Sequence, residues 1–143
     1  MNSSIDPRPV EALWFPLVKK FYQAYYPSAK PNKSEPVWVI KDGALIKSAV
    51  RLKPLTHCVL LTGLVTHPDY RNRGYAAALL AALKPTLEKQ ASYCLNQPEL
   101  IEFYQRSGFE LIGNENILPQ DLYGRLQRYR AKQPNLVAMR FVS

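Results

Sequence analysis

The chain has 143 residues, 47% of them apolar and 21% charged, and its 19 basic and 11 acidic side chains leave a net charge of +8. This is the balance of a globular domain able to bury its own core, and it excludes a disordered polyelectrolyte. Two cysteines, Cys58 and Cys94, and two histidines, His57 and His67, have neither metal-ligand nor disulfide-framework spacing, so no metal site is expected and a reducing compartment is the default.

Met1 to Val10 has no apolar signal-like core, and no apolar run approaches the roughly 20 residues of a membrane helix. A cytoplasmic protein with no membrane partner is therefore expected. The basic excess lies in residues 1–66 and 119–143. It reads as a solubilising surface with a bias toward anionic ligands.

Residues Pro9 to Tyr26 carry Ala12, Phe15, Val18 and Tyr22 at helical spacing, with Pro16 marking a break or restart. Met1 to Pro9 offers no good strand. Ser28 to Glu35 is polar and reads as a loop. Val37–Ile40 and Ala44–Leu52 flank Asp42-Gly43, a strong hairpin signal. Cys58 to Thr66 is nearly all apolar, as a strand covered on both faces requires, and Gly63 within it suggests a bulge or a close backbone approach by a ligand. A helix follows from Gly74, with Leu79, Leu80, Leu83 and Leu87 in its stripe and Pro85 expected to kink or shorten it.

Tyr93-Cys94-Leu95 is a short strand. Pro98 opens a helix that Gly108 stops. Phe109 to Ile112 is a strand, Leu118 to Tyr129 a helix, and Leu136 to Val142 a last strand. Strand–helix–strand units next to a hairpin predict an α/β (α+β) fold with a mixed, partly parallel sheet and helices on both faces, in one domain over residues 1–143.

The chemistry concentrates in Leu60 to Ala77, LLTGLVTHPDYRNRGYAA. A buried strand runs into a basic, glycine-containing turn, and the turn opens a helix. Unpaired N–H groups and the positive end of the helix dipole then converge where a phosphate can sit. Arg71 and Arg73 add positive charge, and Gly74 lets the backbone approach an anion. Neither GxxxxGK[ST] nor GxGxxG is present.

Arg71-Asn72-Arg73-Gly74-Tyr75-Ala76, after a hydrophobic strand and a Val-x-x-x-x-x-Arg lead-in from Val65 to Arg71, resembles the Arg/Gln-x-x-Gly-x-Gly/Ala signature of the GNAT superfamily of acyl-coenzyme A-dependent N-acetyltransferases. A second block, Asn96, then Tyr104, then Gly108-Phe109, is similar to that family's Asn…Tyr…Gly-Phe segment. The resemblance implies a GNAT-like, centrally twisted mixed sheet. It also implies acetyl-coenzyme A as cosubstrate, with no metal.

In residue terms, it implies that the backbone of Leu64, Val65 and Thr66 pairs with the pantetheine arm. Backbone amides of Arg71, Asn72, Arg73, Gly74, Tyr75 and Ala76 would hold the pyrophosphate. Asn96 would contact the pantetheine arm, and Tyr104 would be the acid that protonates the departing thiolate. The expected reaction is acetyl transfer to a primary amine by direct attack in a ternary complex. The partner would be a small-molecule or peptide amine acceptor, with homodimerisation left open.

Glutamate, used by many family members as general base, is absent from the strand before the turn. That keeps a second reading in view, a non-catalytic coenzyme A-binding regulatory module of the same fold. RNA association through Arg125, Arg128, Arg130 and Lys132 is the least favoured reading. Tyr104 as a core tyrosine, Asn96 as a helix cap, Cys94 as a small buried apolar residue, and Phe21, Tyr22, Tyr25 and Tyr26 as pocket or core are the competing structural roles.

Overall fold

A computed structural model describes residues 5–143. Its first regular element is a two-residue strand, β1 (Arg8–Pro9), antiparallel to the strand that begins at Val37, with Arg8 opposite Val39 and Pro9 opposite Trp38. This corrects the expectation that Met1 to Pro9 offers no good strand, of which Met1 to Ser4 lie outside the described residues. The pairing is too short to leave an alternation in the sequence.

A turn of 3-10 helix at Ala12–Trp14 leads into α1 (Phe15–Tyr25). Pro16 sits in the first turn of α1, where its missing N–H costs nothing, so the restart falls at that proline. Phe15, Val18, Phe21 and Tyr22 form the buried stripe.

β2 (Val37–Asp42) and β3 (Leu45–Pro54) make the expected hairpin, closed by Gly43 at φ +58° and Ala44. The register passes from Ile40↔Ser48 to Lys41↔Ile46, so Lys47 is an extra, bulged residue of β3. The bulge shifts the alternation, and Ile46 and Ala49 both join the core under α1. β4 (Val59–Thr66) follows, then α2 (Tyr75–Leu87). Pro85 lies inside α2, which runs only two residues past it.

β5 (Ser92–Asn96) is parallel to β4, with Val59 opposite Ser92 and Leu61 opposite Cys94. A 3-10 turn at Pro98–Leu100 opens α3 (Ile101–Arg106), and β6 (Phe109–Leu111) follows. After a 3-10 turn at Glu115–Ile117 come α4 (Gln120–Arg130) and β7 (Val137–Phe141), which is antiparallel to both β5 and β6. The strands are ordered β1-β2-β3-β4-β5-β7-β6 in a mixed sheet, and the fold is α+β, as expected.

The residues divide into two compact units. One takes in the chain up to Leu52 together with Thr62–Leu83, the other Lys53–Leu61 together with Lys84–Ser143. In the first, Val18, Phe21 and Tyr22 of α1 pack on Val37, Val39, Ile46, Ala49 and Val65. In the second, Leu122 and Leu126 of α4 pack on Cys58, Leu60, Tyr93 and Ala138. No helix among the described residues is long and apolar enough to cross a membrane.

Candidate functional site

The turn between β4 and α2 is built from local hydrogen bonds. His67 Nδ1 accepts from the Asp69 N–H at 3.0 Å, and the Tyr70 N–H donates to the His67 carbonyl at 2.9 Å. These bonds close a 3-10 turn at Pro68–Tyr70. The backbone is extended at Arg71, left-handed at Asn72 (φ +63°) and left-handed again at Gly74 (φ +83°).

Asparagine and glycine are the residues that occupy this region most cheaply. A backbone that alternates in this way turns its N–H groups inward as an anion-binding concavity. The Gly74 carbonyl accepts from the Ala78 N–H at 3.0 Å. The helix therefore starts at Tyr75, and its first N–H groups have no intrahelical acceptor. Arg71 to Gly74 are exposed, whereas Tyr75 is buried.

Cations surround this turn. Arg71 Nε donates to the Thr66 carbonyl at 3.3 Å. The Arg73 guanidinium lies 5.3 Å from the Tyr70 ring centre, and Lys47 Nζ lies 4.9 Å from the same ring and 5.7 Å from that of Tyr75. Stacking on aromatic faces holds positive charge in place without neutralising it.

Leu64 and Thr66 are half-buried and Val65 is buried. Two backbone acceptors on this segment are already in use. Ser48 Oγ donates to the Val65 carbonyl at 3.1 Å and lies 3.0 Å from Thr66 Oγ1, and the Thr66 carbonyl takes the bond from Arg71. Each carbonyl keeps a second lone pair.

Gly63 is left-handed at φ +66°, which matches the expected irregularity. Tyr22, fully buried on α1, donates its hydroxyl to the Gly63 carbonyl at 2.7 Å. Burial raises the Tyr22 phenol above its ordinary pKa and so keeps it a neutral donor. In a trans peptide the C=O and the next N–H point in opposite directions. The Tyr22 bond therefore aims the Leu64 N–H away from α1.

Beside Gly63 lies buried Arg51, and buried Glu35 is next to Arg51. Arg51 Cδ is 3.4 Å from where a Cβ on Gly63 would stand, and Arg51 Nε is 3.4 Å from Glu35 Oε1. The sequence offers one weak signal for this pair: Lys47, Ser48 and Arg51 are polar residues within an otherwise apolar run of β3 whose every residue from Ile46 to Leu52 is buried. Tyr25 and His67 form a further pair, Oη to Nε2 at 3.0 Å, beside a groove of about 220 Å³ lined by Leu17, Phe21, Ala44 and Ile46. Of the four aromatics at the end of α1, Phe21 and Tyr22 are core, Tyr25 is half-buried and Tyr26 is exposed.

In the second unit, Asn96 ends β5 and is buried. Its amide donates to the Gln97 carbonyl at 3.1 Å, and its Oδ1 accepts from Cys94 Sγ at 3.5 Å. The 3-10 turn after it is entered through Gln97 with no side-chain cap, so Asn96 is not that turn's cap. Cys94 is a buried free thiol, and burial pushes its pKa well up. Tyr104 is buried on α3, edge-on to Phe103 and Phe109 at 5.1 and 5.6 Å. His57 is exposed. No group of three or more potential metal ligands occurs among the described residues.

Residues 33–111, more than half of the chain, match the model of the Acetyltransferase (GNAT) domain family. The chain belongs to that family. No curated protein matches its sequence.

Among solved structures, it is similar to N-acetylglutamate synthase from Neisseria gonorrhoeae complexed with coenzyme A and N-acetyl-glutamate. The TM-score is 0.68 at 17% identity, over 100% of this chain and 36% of that one. This chain thus spans about a third of the synthase chain. It is also similar to the ribosomal-protein-S18-alanine N-acetyltransferase from Escherichia coli (TM-score 0.66, 14% identity, 96% of this chain and 93% of that one). A third is Arabidopsis thaliana Naa50 in complex with the bisubstrate analogue CoA-Ac-MVNAL (0.65, 17%, 98% and 99%). At these identities the likeness concerns the fold.

Proposed function

We propose that this chain is a single-domain N-acetyltransferase that moves an acetyl group from acetyl-coenzyme A to a primary amine. The observation that carries the reading is the turn from His67 to Tyr75, with left-handed Asn72 and Gly74 ahead of a 13-residue helix and cations held nearby on tyrosine rings. In this reading the amides of Arg71 to Ala76 bind the diphosphate, and the edge of Leu64, Val65 and Thr66 pairs with the pantetheine arm. Asn96 contacts the same arm.

The neutral amine attacks the thioester carbonyl, and the Leu64 N–H stabilises the oxyanion. The C–N bond forms, the C–S bond breaks, the thiolate takes a proton from Tyr104, and the proton shed by the acylated nitrogen passes through solvent to restore the phenol. The amine must first lose its own proton, since an alkylammonium has a pKa of about 10.4. The names printed for the similar structures, with N-acetyl-glutamate, the alanine of ribosomal protein S18 and the bisubstrate analogue CoA-Ac-MVNAL, support a small-molecule or peptide amine. Nucleic acid and membrane have no role in this reading, and the protein works in the cytoplasm.

Calorimetry with coenzyme A and thiol release from acetyl-coenzyme A across an amine panel test the proposal. Wild type is expected to bind the cofactor and turn over at least one amine. Tyr104→Phe is expected to lower kcat by about 10²-fold with cofactor affinity kept, the size of a general-acid contribution. Tight cofactor binding with no product from any amine would instead favour the regulatory-module reading, to which the lack of a carboxylate on β4 points.

A further inference from the structure

Resting on the acetyltransferase reading above, we infer that His67 and Tyr25 are positioning residues for the cofactor. His67 shapes the turn that takes the diphosphate, and Tyr25 fixes His67 to α1. His67 follows β4 and is the N-cap of the 3-10 turn at Pro68–Tyr70. Its Nδ1 accepts from the Asp69 N–H at 3.0 Å, and its carbonyl accepts from the Tyr70 N–H at 2.9 Å. Its own N–H donates to the carbonyl of the bulged Lys47 at 2.7 Å. One residue therefore fastens the end of β4, the bulge of β3 and the first half of the turn.

Asparagine or aspartate would cap such a turn as well, and both are preferred caps. The imidazole adds a second nitrogen. The Asp69 N–H can only donate, so Nδ1 carries no proton and the ring's proton sits on Nε2. Nε2 then donates to Tyr25 Oη, 3.0 Å away. The Tyr25 ring lies against the imidazole, with centroids 4.7 Å apart, and edge-on to the buried Phe21 at 5.2 Å. Tyr70, inside the turn, meets the imidazole edge-on at 5.3 Å.

The place fits the reaction. Tyr22 on the same helix donates to the Gly63 carbonyl. Gly63 and His67 bracket Leu64, Val65 and Thr66, the stretch that would pair with the pantetheine arm. α1 thus grips that stretch at both ends, with one tyrosine hydroxyl each. The diphosphate and the pantetheine arm are covalently joined, so a turn displaced against the strand cannot satisfy both. Binding energy that depends on such matched placement is lost when the parts shift.

The test is calorimetry of coenzyme A with the full chain, well below its unfolding temperature. The KM of an accepted amine is measured alongside at saturating acetyl-coenzyme A. His67→Ala removes the cap and the link to α1, and coenzyme A affinity is expected to fall about tenfold, the size of a lost cap. Tyr25→Phe keeps both ring contacts and removes only the link. A fall of about threefold is expected, the size of one hydrogen bond. His67→Asn restores the cap without the link and is expected to match Tyr25→Phe. The double variant Tyr25→Phe/His67→Asn is expected to bind no more weakly than either single variant, because both remove the same bond. The KM of the amine is expected to stay at its wild-type value throughout.

Wild-type affinity in His67→Ala or Tyr25→Phe overturns the inference while leaving acetyl transfer intact. So does His67→Asn binding no better than His67→Ala, or losses that add in the double variant. Should His67→Ala fail to fold, Tyr25→Phe, His67→Asn and their double variant carry the test. Failure of coenzyme A to bind the wild type would bring down acetyl transfer, and this inference with it.

Discussion

Single atoms decide much of this chain's behaviour. Gly108 sits at φ +101°, and a Cβ there would lie 2.3 Å from the Ser143 carbonyl oxygen and 2.8 Å from Phe141 Cε1. Gly108→Ala should therefore cost about 3 kcal/mol or more in denaturant unfolding, since backbone strain and overpacking act together. Tyr22→Phe leaves the Gly63 carbonyl buried without its donor. A loss of about 1–2 kcal/mol is expected by the same measurement, together with a fall in kcat that the stability loss alone would not cause at a temperature well below unfolding.

The thiols give an alkaline signature. Burial, and secondarily the charge of Asp121, pushes Cys58 from 9.0 up to about 11, and burial raises Cys94 well above the ordinary thiol value. A raised thiol pKa favours the folded state while both forms are protonated. Their contribution is thus complete below pH 9 and is lost as pH rises toward the folded-state values. Unfolding midpoints measured from pH 8 upward should fall through this window, and native protein should react with a thiol reagent far more slowly than unfolded protein.

Whole elements are anchored by fewer contacts than their lengths suggest. α4 carries the bidentate pair of Arg130 with Glu115, at 2.7 and 2.6 Å, and the same guanidinium donates to the Leu136 carbonyl ahead of β7. One side chain therefore ties a helix, the turn before it and the strand after it. Arg130→Met should destabilise by about 1 kcal/mol, a figure reduced by the partial exposure of the pair and raised by its geometry.

The hydrogen bond from Arg130 lowers the Glu115 carboxyl below its ordinary value of 4.5. Its share of stability is present at neutral pH and lost as acid protonates it, so the acid limb of an unfolding curve should flatten in the variant. α1, α2 and α4 were readable in the sequence from their apolar stripes, and the six-residue α3 from Pro98 before it and Gly108 after it. β1 was not, because two residues form no period. The bulge at Lys47 was hidden as well, because it appears only as a register shift against β2.

For the molecule as a whole, binding of coenzyme A should raise the melting temperature, since a ligand at about 100 times its Kd stabilises by roughly 2.7 kcal/mol. Added salt should weaken that shift, because the proposed binding mode draws the diphosphate to exposed cations at the turn, such as Arg71 and Arg73. The sequence by itself determined the element order after β1, the mixed sheet and the basic turn ahead of α2, since periodicity, glycine placement and charge are local properties that a short window carries. The two motif blocks also identified the family.

Only the tertiary structure decided which hydroxyl meets the Gly63 carbonyl, which carbonyls of β4 are already engaged, and that Arg51 and Glu35 share a buried space at the bulge. These are contacts between residues far apart in the chain. Their energies depend on distance and burial, and neither is written in any single segment.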